Sequence, residues 1–192
     1  MPGSSLWLLP PDDHPLNPLL TSLIQTTSAK FASPHLFIPH VTLTSDIPPS
    51  TYASSAQKWL HDLPLPAAKD VAVKLGKLQS EDVFVRKLYS KVDKAGVKEI
   101  GAAARMVVEG YADWTKALEW AEESYNPHVS LLYHDCPPVS DKDVAEMEKM
   151  VAIVGVSLEG EGELGSWLGG RVVLVETDKP ISAWAPIAER TL

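Results

Sequence analysis

The chain has 192 residues, 45% of them apolar and 22% charged, with a formal charge of −8. That balance excludes wholesale disorder, a collagen-like repeat and a coiled-coil rod, and its acidity argues against a broad surface for duplex DNA or long RNA. No apolar run approaches the roughly 18 residues of a membrane span, so no membrane insertion is expected, and the one cysteine, Cys136, excludes an intrachain disulfide and a cysteine zinc site.

The first residues carry no basic side chain ahead of a short apolar stretch that Pro10 and Pro11 break. No signal peptide is expected, and a reducing cytoplasmic compartment is the simplest home. Leu6 to Leu9 reads as a short buried strand. A helical stripe runs from Leu16 through Ile24 to Phe31, with Asn17 as its cap and Pro18 in its first turn. His35 to Thr44 reads as a strand. Tyr52, Ala56, Trp59, Leu60 and Leu63 form a second helical stripe, with Ser50 as a possible cap.

Val71, Val73 and Leu75 alternate as a half-buried strand does, and Val83 to Lys91 reads as its partner. A long helical region spans Lys94 to Ser124, with Gly110 as a candidate break. His128 to His134 reads as a strand. Ser140 to Asp143 resembles a capping box for the helix carrying Val144, Met147 and Val151. Glycines at 160, 162 and 165 mark a loop, and Gly169-Gly170 a bulge or tight turn. Val172 to Val175 reads as a central strand, and the tail from Ile181 carries no decisive period. Strands and helices mix without regular alternation, which predicts an α+β fold with antiparallel sheets and no flexible interdomain linker.

Charge is unevenly spread. Residues 69–105 carry a net +4 against −12 for the rest. A solvated face accounts for this by default, and a local attraction for a small anion is the functional reading.

One internal echo stands above this background. Residues 39–43 read Pro-His-Val-Thr-Leu and residues 127–131 read Pro-His-Val-Ser-Leu, 88 residues apart. An internal duplication explains that spacing, each half supplying a sheet and its helices. Strand alternation places His40 and Thr42 on one face, with Val41 and Leu43 on the other. His128 and Ser130 stand likewise against Val129 and Leu131. If the two motifs face each other, two imidazoles and two hydroxyls converge on one cleft. One neutral imidazole can take a proton from water while the other, protonated, gives one to a leaving oxygen. Each such transfer is worth roughly 10² to 10⁴ in rate. The hydroxyls of Thr42 and Ser130 suit non-bridging phosphate oxygens. That set fits hydrolysis of a strained cyclic phosphate ester, with no metal and no cofactor required.

The paired motifs resemble those of the 2H phosphoesterase superfamily, named for two His-x-Thr/Ser-x elements, and most closely its fungal and plant cyclic phosphodiesterase branch. Leu6-Trp7-Leu8-Leu9-Pro10 and Trp167-Leu168-Gly169-Gly170-Arg171 agree with that branch. The resemblance implies a single two-lobed domain over residues 1–192, with pseudo-twofold symmetry, antiparallel sheets lining a cleft and helices outside. It implies hydrolysis of nucleoside 2′,3′-cyclic phosphates to 2′-phosphates, and of ADP-ribose 1″,2″-cyclic phosphate, a by-product of tRNA splicing. Tyr133, five residues after His128, stands where that branch holds the phosphate with an aromatic hydroxyl. Ser45 stands at the matching place after His40, so a symmetric site is not implied. The expected partner is a small cyclic-phosphate nucleotide, with the protein a monomer. A 2H enzyme that processes RNA ends, and a non-catalytic nucleotide-binding module, are the competing readings. Sequence does not decide which histidine is the base.

Among the remaining residues, Trp7 reads first as core and second as a platform for a base. His14, His35, His61 and His134 read as incidental. His134 shares the face of His128 by parity, and Cys136 shows no sign of an activated thiolate.

Overall fold

Val41 and Val129, the equivalent valines of the two pentapeptides, sit opposite each other on adjacent antiparallel strands at the middle of the sheet. The computed structural model describes residues 3–53 and 55–192. Among the described residues there are eight strands: β1 (Ser4–Leu9), β2 (Val41–Ile47), β3 (Ala72–Gln79), β4 (Leu88–Val92), β5 (His128–Leu132), β6 (Ser166–Leu168), β7 (Arg171–Val175) and β8 (Pro186–Thr191). Five α-helices accompany them: α1 (Leu16–Lys30), α2 (Ala56–Asp62), α3 (Lys98–Arg105), α4 (Trp114–Glu123) and α5 (Asp141–Ile153). The fold is α+β, as expected. The strands form one antiparallel sheet in the order β6-β3-β4-β5-β2-β1-β7-β8.

That order is symmetric about the β5–β2 pair. Trp7 lies opposite Thr42 and Leu6 opposite Thr44. Tyr89 lies opposite Ser130 and Leu88 opposite Leu132. Each motif strand therefore carries one extra residue at the same place, Leu43 and Leu131, three positions past its histidine. The two halves of the sheet are not the two halves of the chain, however. After β6 joins the second half, the chain crosses back through Gly169 and Gly170 and lays β7 and β8 on the first. Both glycines have positive φ, and a side chain on Gly170 would meet the Leu9 carbonyl. The crossover covers the outer edge of β1, which would otherwise be left unpaired.

All five helices share the face to which Val41, Leu43, Val129 and Leu131 point, and together they bury the main core. A second, smaller apolar cluster of Trp7, Leu9, Val173 and Val175 lies apart from it, with Ile38 and Trp184 packed on it. No helix among the described residues is long and apolar enough to cross a membrane.

Several expected boundaries move. Residues 35–40 belong to no regular element, and the ladder begins at Val41; Pro39 has no N–H to donate to a neighbouring strand. Asn17 does not cap α1. Its side-chain amide donates to the carbonyls of Pro11 and Asp12, and Pro15 occupies the cap position. Ser55, not Ser50, caps α2 by accepting from the Lys58 N–H. The strand expected over 83–91 shortens to β4, because Phe84–Arg86 forms a 3-10 turn. The region 94–124 divides into α3 and α4, with Gly110 at φ 88° between them. Ser140 caps α5 as expected. Strand β6 was not anticipated, and the tail holds β8.

Candidate active site

The Val41–Val129 pairing brings the two motif histidines to the centre of the sheet. Each immediately precedes its valine, so alternation turns both imidazoles away from the helix-packed core. His40 is buried, and His128 half-buried. Both rings are held in the same way. Nδ1 of His40 lies 2.6 Å from the Ile38 carbonyl oxygen, and Nδ1 of His128 lies 2.7 Å from that of Asn126. A carbonyl oxygen only accepts, so the proton sits on Nδ1 and each Nε2 keeps its lone pair. In both motifs the carbonyl belongs to the residue two before the histidine.

Burial pushes the His40 imidazole down from its usual 6.5 to about 3, opposed by its bond to Ile38 and reinforced by the neighbouring His128. His128 is also lowered. Burial again acts first, the Asn126 carbonyl opposes it, the Arg86 guanidinium adds to it, and the Glu81 carboxylate opposes it. The free site therefore holds two neutral imidazoles with their basic nitrogens unprotonated.

An aromatic ring backs each histidine. The Trp7 indole stacks on His40 with centroids 3.7 Å apart and planes inclined 9°. Tyr89 meets His128 edge to face at 5.2 Å. These residues occupy matching positions, because each pairs with the hydroxyl residue of its motif. Trp7 is buried, so the reading as core holds, but its partner is the histidine itself. Tyr89 went unnoticed in the sequence. The signal available was the shared Leu-aromatic pair of two strands, Leu6-Trp7 and Leu88-Tyr89, once the motifs are aligned.

Thr42 is half-buried beside His40, and its carbonyl accepts from the Tyr125 hydroxyl at 3.1 Å. Ser130 is buried, and its hydroxyl donates to the Val85 carbonyl at 2.6 Å. Tyr133 joins the same cluster, its hydroxyl 3.5 Å from Nε2 of His40 and its ring stacked on Phe37. Strict alternation from His128 would point Tyr133 into the helices. The bulge between Ser130 and Leu132 reverses the parity, so Leu131 and Leu132 both enter the main core and Tyr133 emerges beside His40. Burial raises the Tyr133 phenol, leaving it a neutral donor. The matching bulge on β2 brings Ser45 to the equivalent place, where it accepts from Ser5 at 3.0 Å.

The charged groups nearest His128 form a small network. Arg86 pairs with Glu81 at 2.8 Å, and the Tyr89 hydroxyl donates to Glu81 and to Gln79. Burial and the Glu81 carboxylate raise the Tyr89 phenol to about 12, so it too remains a donor. His134 takes no part: its Nδ1 accepts the Cys136 N–H at 2.8 Å, because β5 ends at Leu132 and parity carries no further. Among the described residues no three His, Cys, Asp or Glu side chains gather where they would hold a metal.

Two neutral imidazoles of one tautomer, two hydroxyls and a phenol on a single face can accept one proton, deliver another and hold an anion. Comparison with known proteins shows the family. The whole chain, residues 1–192, matches the family described as "Cyclic phosphodiesterase-like protein". It is 53% identical over 193 residues to a protein of Phaeosphaeria nodorum and 42% identical over 213 residues to one of Neurospora crassa, both alignments covering all of both chains. A protein of Yarrowia lipolytica is 29% identical over 98% of this chain and 99% of its own. Each of these relatives is named 2′,3′-cyclic-nucleotide 3′-phosphodiesterase.

Proposed function

The chain belongs to the cyclic phosphodiesterase-like family, and from that membership we propose that it hydrolyses nucleoside 2′,3′-cyclic phosphates to nucleoside 2′-phosphates. Full-length similarity to relatives bearing that activity in their names supports the reading. The observation that carries it is the matched pair of histidines, each fixed by an i−2 carbonyl with its Nε2 free. A binding module has no need of two imidazoles in one tautomer on one face. ADP-ribose 1″,2″-cyclic phosphate, which presents the same strained ring, is a second substrate under this proposal and yields ADP-ribose 1″-phosphate.

The anionic cyclic ester enters between the histidines and raises the proton affinity of both. One becomes protonated and the other stays neutral. The neutral imidazole takes a proton from a water whose oxygen attacks phosphorus. The P–O3′ bond breaks, and the imidazolium gives its proton to the departing O3′. The phosphate remains on O2′. Thr42 and Tyr133 donate to the non-bridging oxygens as charge grows on them, and Ser130 joins them by turning its hydroxyl from the Val85 carbonyl. Both proton transfers are supplied by imidazoles, so the reaction as written uses no metal. The test is substitution of His40 or His128 by Gln. Either change should lower turnover of adenosine 2′,3′-cyclic phosphate by roughly 10² to 10⁴, with the far-ultraviolet circular dichroism unchanged. Near-normal turnover in either variant refutes the assignment.

A further inference from the structure

The pseudo-symmetry of the sheet exposes a difference between its halves that the reaction alone does not require. Leu9 and Lys91 are equivalent positions, each one strand away from its motif histidine; Lys91 lies directly opposite His128. Leu9 is buried in the small apolar cluster with Trp7 and Val173, whereas Lys91 is exposed. Val173 pairs with Trp7, and its counterpart Gln79 pairs with Tyr89 and accepts its hydroxyl. One half of the cleft face is thus apolar and aromatic, and the other is polar and basic.

The basic half is also hollow. A cavity of about 650 Å³ lies over the β3–β4 ladder, lined among others by Lys74, Lys77, Gln79, Lys91 and Lys94. Asp93 and Glu159 line it too, so four ammonium groups stand against two carboxylates, and the Asp93 carboxylate also accepts the Ala95 N–H. Lys94 is engaged by the Glu122 carbonyl. Among the described residues Lys74, Lys77 and Lys91 form no salt bridge. Nine of its twelve lining residues belong to the stretch 69–105 that carries the chain's local positive charge, and Leu158, Glu159 and Gly160 close the other side. Lys91 stands one strand from His128 and Lys74 two strands, roughly 5 and 10 Å across the sheet. Lysine side chains of that reach span the distance from a cyclic phosphate to the next phosphoryl group on the same ribose.

We propose that this groove is a second anion subsite, taking a phosphoryl group attached to the 5′ oxygen of the ribose that carries the cyclic phosphate. The inference rests on the cyclic phosphodiesterase reading. It makes 5′-phosphorylated substrates, whether monoesters or diesters, better bound than the bare cyclic nucleoside phosphate.

The test compares three substrates on the full-length protein: adenosine 2′,3′-cyclic phosphate, its 5′-phosphate, and a dinucleotide ending in the cyclic phosphate. The 5′-phosphate should lower KM by about tenfold at low salt, the scale of two charge-assisted contacts at a part-exposed site. The advantage should shrink as ionic strength rises. In the Lys74→Gln/Lys91→Gln double variant the KM ratio between the first two substrates should fall toward one, while Lys142→Gln on α5 should keep it. An equal gain with the dinucleotide assigns the groove to any 5′-phosphoryl group, and a gain with the monoester alone assigns it to a terminal phosphate. Equal KM values for all three substrates, or a ratio that survives the double substitution, overturn the subsite while leaving the cyclic phosphodiesterase reading intact. No turnover of any of the three overturns both.

Discussion

The Trp7 indole lies flat on the His40 imidazole, 3.7 Å between centroids, and fixes the ring that the Ile38 carbonyl has already oriented. The two contacts constrain different motions: the hydrogen bond sets rotation about the ring normal, and the stack sets tilt. Trp184 packs edge-on against Trp7 and completes the wall.

Trp7→Phe keeps an apolar ring but shortens the stacking surface. It should lower kcat on adenosine 2′,3′-cyclic phosphate by about tenfold, the scale of a slightly misplaced catalytic group, with KM nearly unchanged. Steady-state kinetics checks this. A rise in KM at constant kcat would instead place the indole against the substrate's base.

The pH dependence has a definite sign. Both histidines are lowered from 6.5 in the free protein, and activity needs one protonated and one neutral. The bell of kcat/KM, which reports the free protein, should therefore peak on the acid side of pH 6.5. The bell for kcat should lie higher, because bound phosphate favours the imidazolium. Glu81 raises His128 and Arg86 lowers it. Glu81→Gln should accordingly move one limb of the kcat/KM profile toward acid, and Arg86→Gln should move it toward neutrality. A kcat/KM optimum above pH 7 would contradict the lowering of both imidazoles.

Stability should respond to the same group. His40 binds its proton in the folded state only near pH 3, against about 6.5 when unfolded. Between those values the unfolded chain holds more protons. Unfolding free energy therefore falls as pH drops through this window, by up to about 1.4 kcal/mol per pH unit. Urea titrations of the protein and of His40→Gln between pH 4 and 7 measure it. The variant should show the shallower slope, and identical slopes would contradict the prediction.

Tyr133 and Ser130 should separate by their structural duties. Tyr133→Phe removes a hydroxyl that lies 3.5 Å from His40 Nε2, so kcat/KM should fall about tenfold with Tm nearly unchanged. Ser130→Ala also frees the Val85 carbonyl. It should cost about 1 kcal/mol of stability besides lowering kcat/KM. Equal Tm losses in both variants would contradict this division.

Much of this was legible in the chain. Alternation alone placed His40, Thr42, His128 and Ser130 on one face, because the valines and leucines between them had to enter the core. Tyr133 was identified through resemblance, since period-two counting points it the wrong way. The bulge that corrects it is set by cross-strand register, which a single strand does not display. Residues 35–40 read as strand because Leu36, Phe37 and Ile38 are apolar and run into the motif, but hydrogen-bond partners decide the ladder. The Tyr89–Glu81–Arg86 network was hidden because its members became neighbours of His128 only when β4 paired with β5. The unequal halves were also invisible, since Leu9 and Lys91 become equivalent only through the sheet.

The most direct test of paired-histidine hydrolysis is phosphorus NMR of the products formed from adenosine 2′,3′-cyclic phosphate by the EDTA-treated protein. Adenosine 2′-phosphate as the sole product is the predicted result. Adenosine 3′-phosphate, or activity that disappears with EDTA and returns only with added metal, would contradict the mechanism.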